Sequence, residues 1–322
     1  MTMKRSQQSL ILCLLTTLLI ACSSGAIEKP LPASITSPDN LLDLGVSHYN
    51  NNDYPRAIHT FNKALTQYRS IDNQPGIAMS CMNIAKSYMA NNHNEAARQY
   101  LDKASAIISA ASLKQLKEHL NLLESSLAIK NKSYSQAIQY LTTPLVSNNT
   151  NVKLAALKNR TLISFDQQDE NRQSWLNEYK TLQNTNSQNT ESHLARILRF
   201  EAELTDDESK KVELLTQSLS ISRKLANRTA IAANLTQWAN LDIQKKRLKE
   251  AEDKLLRALF IRQQIGDKEN SLALLKQLNS IYIESNNDKQ INAKAWIDKL
   301  TQDQLIDWDQ LFSEFDTYPK SL

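Results

Sequence analysis

The side chains that could do chemistry are few and widely spaced. Five histidines, His48, His59, His93, His119 and His193, are spread along the chain. None forms a His-Glu-x-x-His pair or another short metal-ligand spacing. His93 falls in a polar turn and the others on exposed or mixed helix faces, so solvated rings are expected. Four glycines in all make a phosphate-cradling loop implausible, and no Gly-x-Ser-x-Gly elbow occurs. The acidic pair Asp206-Asp207 stands at an expected helix start, where carboxylates complement the helix dipole. Lys210-Lys211 and Lys245-Lys246-Arg247 flank helix ends without interleaved aromatics, which argues against a nucleic-acid surface. These residues predict no enzyme, no metal and no cofactor.

One cysteine does stand in a chemical context. Lys4 and Arg5 form a positive n-region, and Leu10 to Ala21 form an apolar run that is too short to span a bilayer but suits a secretory leader. The run ends in Leu19-Ile20-Ala21-Cys22, which resembles the lipobox of bacterial lipoproteins. The resemblance implies a signal peptide over 1–21, cleavage before Cys22 and acyl chains, palmitate among them, on that cysteine, enough for stable anchoring. Ser23 in place of Asp implies an outer-membrane destination in that family. Residues 22–37, rich in Ser, Pro and Ala, read as a flexible tether. With Cys13 in the leader and Cys22 acylated, Cys81 is left alone; no internal disulfide is expected, and its apolar helix face predicts a buried small hydrophobe.

The elements that carry the remaining residues are helical. The chain of 322 residues is 41% hydrophobic, with seven Pro besides its four Gly, and is rich in Leu, Ala, Lys, Gln and Asn. That mix favours helices over hairpins. The net charge of +4 drops by two units when Lys4 and Arg5 leave with the leader, and so near a balance gives no electrostatic case for nucleic acid. Helical periodicity recurs every forty residues: Asp53-Tyr54 with Ala57, Asn94 with Ala97, Tyr134 with Ala137. Each unit is a helix, a polar turn such as Asn50-Asn51-Asn52-Asp53 or Asn91-Asn92-His93-Asn94, and a second helix. Small residues stand where helices must touch, Gly45 with Ala57 and Ala85 with Ala97; a mid-helix Gly costs about 1 kcal/mol against Ala, so close packing is expected at Gly45.

This pattern resembles the tetratricopeptide repeat, most strongly in the first two units and again from Ala232 through Leu248, Ala251, Leu255, Ala258 and Leu259 to Gly266-Asp267, where it is similar to the longer-period variant of kinesin light chains. The resemblance implies an all-α, right-handed superhelical solenoid over 38–300. Units in 145–230 are degenerate, interrupted by Asn/Gln-rich stretches, with a junction between subdomains near 184–191 as an alternative. Residues 301–322 are expected to form a capping helix and tail, opened by a capping box at Thr301-Gln302-Asp303-Gln304 and running to Phe315.

The first helix of each pair lines the concave face of such a solenoid. By that geometry Leu42, Val46, Tyr49, Met79, Met82, Lys86, Met89, Leu122 and Ile129 are the candidate partner-binding groove, with a Met-rich centre suited to a peptide or helix of an envelope protein; several of these positions could equally belong to the core. Some members of the family grip a terminal carboxylate with Asn and Lys/Arg, but Leu42 and Val46 occupy places where that clamp would want Lys and Asn. The expected function is a non-catalytic scaffold for an envelope complex, lipid-anchored in the outer membrane and facing the periplasm. The alternative is a regulator of a periplasmic enzyme such as a peptidoglycan synthase or hydrolase; a small-ligand receptor or hydrolase within the solenoid is the third reading.

Overall fold

The computed structural model describes residues 37–186, 191–302 and 304–315; the leader, Cys22 and nearly all of the tether lie outside them. The described residues are helical and contain no strand. Helices pair in sequence: α1 (Pro38–Asn50) with α2 (Tyr54–Ser70), α3 (Gln74–Ala90) with α4 (Asn94–Ala110), α5 (Lys114–Lys130) with α6 (Tyr134–Leu141), α7 (Thr150–Asp166) with α8 (Arg172–Thr185), α9 (Glu191–Leu204) with α10 (Glu208–Lys224), α11 (Arg228–Gln244) with α12 (Leu248–Gln264), and α13 (Lys268–Glu284) with α14 (Lys289–Thr301). A short α15 (Trp308–Glu314) closes the far end. The architecture is an all-α solenoid of the tetratricopeptide type.

One turn is reused along the chain. A single residue enters the left-handed region, and the next amide bonds back to the carbonyl five residues earlier, which satisfies a helix-end acceptor. Asn52, Asp72, Asn92, Ser112, Lys132, Gln168, Ala226, Lys246 and Asn286 hold that conformation, together with Gly266. The return bonds include Asp53 N–H to His48 O at 2.9 Å, His93 N–H to Tyr88 O at 2.9 Å and Asp267 N–H to Arg262 O at 2.9 Å. Asn and Asp tolerate this region best among residues with a Cβ, which accounts for the Asn-rich turns. The N-caps follow at once: Asp53, Asn73, Asn227 and Asp267 each accept the backbone amide three residues on.

Close packing follows the small residues, though the partner at Gly45 is an aromatic. A Cβ added at Gly45 would overlap the Phe61 ring, and one at Gly76 would overlap Tyr68. Both rings are fully buried. Large apolar cores occupy the two ends, one running from Leu41 to Leu127 and the other from Leu219 to Phe315. Smaller clusters around Leu141, Phe165 with Phe200, and Leu215 join them. The stretch 145–230 holds two helix pairs. Ahead of it, α6 stops after eight residues and the chain passes through a short 3-10 turn, Pro144–Val146; Pro144 lacks the amide that another helical turn needs.

The C-terminal start signal is placed differently from the sequence expectation. Thr301 is the last residue of α14, and its hydroxyl bonds back to Ile297 O at 2.7 Å, so it finishes one helix and does not cap another. The final helix begins at Trp308, capped by Asp307, which accepts Gln310 N–H at 2.9 Å. It seals the core by covering Trp296, whose Nε1 donates to Glu314 Oε2 at 2.7 Å.

In the first half the odd-numbered helices form one layer: α1 packs on α3, α3 on α5 and α5 on α7. The solenoid also meets itself. Asn52 Nδ2 donates to Ala226 O at 3.3 Å, Asn92 Nδ2 to Ile265 O at 3.5 Å, and Lys132 pairs with Glu269 at 2.8 Å. The mid-unit turns of the first three units therefore touch the inter-unit turns of the last three.

Candidate functional site

The inner face is read most directly along α7 and α9. Asn151, Ala155, Lys158 and Leu162 recur at four, three and four residues, as do Ser192, Arg196, Arg199 and Glu203, so each set lies on one helical stripe. The same spacing on α3 takes Met79, Asn83, Lys86 and Ala90. Lys158 lies within electrostatic reach of both Arg196 and Lys86, and Arg199 within reach of Arg196. Three inner helices thus bring four cations to one region. Among the described residues none of the four has a carboxylate at ion-pair distance. Lys86 instead stands 4.4 Å above the ring of Tyr49.

Lys158, Arg196 and Arg199 are half-buried, and Lys86 is exposed. Burial pushes the Lys158 ammonium down to about 7, with the positive charges of Arg196 and Lys86 adding to the effect. Burial likewise lowers Lys86, and it lowers Arg199 to about 9, which leaves the guanidinium charged at neutrality. Two acids border the cations. Burial raises Asp166, offset in part by the Tyr134 hydrogen bond, Lys132 and Arg196, and raises Glu203, offset in part by Arg172 and Arg199. Tyr134 donates to Asp166 Oδ2 at 3.4 Å.

The sequence-derived groove residues divide on this surface. Met82 and Met89 are each 6% exposed and belong to the N-terminal core. Leu42, Tyr49, Met79, Leu122 and Ile129 are half-buried, while Val46 at 40% and Lys86 face solvent. Sequence reading passed over Lys158, Arg196 and Arg199. Their stripe spacing was visible, but the neighbour that each would face across the concavity was not.

His193 also departs from expectation. It is half-buried, its ring is edge-on to Tyr179, and Nδ1 lies 2.6 Å from the Tyr179 hydroxyl. Burial, reinforced by Lys158 and Arg196, lowers the imidazole to about 4. A ring kept neutral accepts the hydroxyl proton. Cys81 is fully buried, and burial pushes its thiol up. Among the described residues no three His, Cys, Asp or Glu side chains converge as a metal set.

A second concavity, of about 390 Å³, opens between α10, α11 and α12 and is lined by Leu219, Arg223, Trp238, Lys254 and Arg257. Its cations are mostly committed: Lys254 pairs with Asp242 at 2.8 Å and Arg257 with Asp253 at 3.2 Å.

The helix-pair geometry has its counterpart among known families. Residues 78–109 match the family model of the tetratricopeptide repeat. The match runs from Ala78 in α3 to Ser109 in α4, the unit that carries Lys86. No curated protein matches the chain. The repeat points to a protein-interaction scaffold, a class that is typically non-catalytic. No described helix is long and apolar enough to cross a membrane.

Proposed function

We propose that this chain is a lipid-anchored scaffold of the bacterial cell envelope that holds a partner protein against the inner face of its solenoid. The observation that carries the reading is the layer of successive helices α1, α3, α5 and α7 packed on one another, on which Val46 and Lys86 stand exposed. The tetratricopeptide match at 78–109 supports a protein partner. The anchor rests on the sequence alone, on the positive n-region, the short apolar run and Leu19-Ile20-Ala21-Cys22. Ser23 after the acylated cysteine favours the outer membrane, with the body in the periplasm.

Photocrosslinking in cells tests the scaffold. A crosslinker at Val46 or Lys86, with Gln99 on the outer helix α4 as control, is expected to trap one envelope protein from the inner positions only. A stable multicomponent complex would place the chain in assembly; a single synthase or hydrolase whose rate changes on binding would make it a regulator. Equal, scattered capture from both faces sinks the scaffold reading. The anchor is tested apart from it: Cys22→Ser is expected to abolish incorporation of radiolabelled palmitate and release the protein from membranes.

A further inference from the structure

The cavity of about 390 Å³ between α10, α11 and α12 takes one stripe of side chains from each helix. Leu219 and Arg223 stand four residues apart on α10, Leu235 and Trp238 three apart on α11, and Lys254 and Arg257 three apart on α12, so each pair shares a helix face. Leu219 and Leu235 are buried and Trp238 is half-buried, which gives the cavity an apolar floor. Arg223, Lys254 and Arg257 bring three cations to it. Two of its three walls are second helices of their pairs, which sets it apart from the layer of first helices.

The carboxylates nearby do not match those cations. Lys254 stands 5.4 Å from the centre of the Trp238 ring and 2.8 Å from Asp242, but Asp242 also takes Arg247 at 2.8 Å. Arg257 gives one bond, from Nη1 to the exposed Asp253 at 3.2 Å. A pair so exposed contributes little, and most of the five guanidinium donors remain. Arg223 is exposed and has no ion pair among the described residues. A carboxylate entering the cavity would gain charge-assisted hydrogen bonds without breaking a buried pair. The apolar floor rewards a ligand that also carries an apolar body, and Trp238 favours an aromatic one. The volume, toward the lower end of the range for small-molecule sites, fits a free ligand of one ring.

We propose that this cavity is a binding site for a small aromatic carboxylate. Arg223 and Arg257 receive the carboxylate, and the ring rests against Trp238, Leu219 and Leu235. The site goes beyond the scaffold reading and does not depend on it.

Calorimetric titration of the full chain in detergent with phenylacetate tests the site. A saturable heat is expected, with a dissociation constant on the order of a millimolar. It should come with a change in tryptophan emission that Trp238→Phe removes. Phenylacetamide, which lacks the charge, and acetate, which lacks the ring, should each bind no better than about a tenth as tightly. Arg223→Gln and Arg257→Gln should each weaken phenylacetate about tenfold. Lys224→Gln removes the adjacent charge, which pairs with Glu191 outside the cavity, and should leave binding unchanged. Arg223 is exposed, so its variant keeps the test valid if Arg257→Gln misfolds. Heat that does not saturate, equal binding of the amide or of acetate, or undiminished binding by both arginine variants would overturn the proposal. So would a loss in Lys224→Gln equal to that in Arg223→Gln, which would reduce the effect to diffuse positive charge. None of these outcomes bears on capture at Val46 or Lys86, so the cavity and the scaffold are refuted separately.

Discussion

Burial, with the charges of Lys158 and Arg196 added, holds His193 in its neutral form beside the Tyr179 hydroxyl. Its folded value near 4 lies below the 6.5 of an unfolded chain, so the unfolded state binds the extra proton between those values. The contribution of the neutral ring is complete above about pH 6.5 and is lost as pH falls through about 4. An NMR titration is expected to show His193 protonating near pH 4; a midpoint near 6.5 would show that burial does not govern the ring. Gly45 makes a packing prediction at the same scale. Gly45→Ala forces a methyl into Phe61 and should destabilise the protein by about 1–3 kcal/mol, read as a lower urea midpoint. An unchanged midpoint would mean that α1 shifts freely against α2.

Between helices, one buried carboxylate is multiply paired. Asp242 on α11 is buried and meets Arg247 in the following turn and Lys254 on α12, both at 2.8 Å, while Arg247 reaches Glu208 on α10 at 2.6 Å. The buried Glu124 on α5 pairs with the partly exposed Arg98 on α4 at 2.5 Å. Removing Asp242 leaves the half-buried Lys254 without its carboxylate, while Arg247 keeps Glu208. Asp242→Ala is therefore expected to raise amide hydrogen exchange across α10, α11 and α12 while the first two units stay protected, because each unit of a solenoid depends chiefly on its neighbours. Uniform loss of protection would show that the repeats unfold as one body.

At the scale of the molecule, the contacts between early and late turns decide how far the inner face is enclosed. Lys132 and Glu269 are both well exposed, so their pairing is weak and screened by salt. Lys132→Glu places like charges together and should open the ring, increasing the radius of gyration in small-angle scattering. Asn52 and Asn92 would then be expected to lose their carbonyl partners. An unchanged radius would show that curvature set by the inner-layer packing, α1 on α3 on α5 on α7, fixes the closure without the turn contacts.

The sequence by itself determined the helices, their pairing and their turns, because those follow from local periodicity, from Asn, Asp and Gly at left-handed positions, and from small residues at contacts. It placed Gly45 at a close approach, but not against Phe61, since the facing side chain depends on how two helices cross. It put Thr301 at a helix start, because a cap signature is also satisfied when a threonine bonds back within a preceding helix. Met82 and Met89 read as groove residues since helical spacing alone does not say which of two apolar stripes is covered by the next unit. The basic inner face was decided by tertiary structure alone. Lys86, Lys158 and Arg196 lie far apart along the chain, and only the curvature of the stacked inner helices brings their charges within reach of one another.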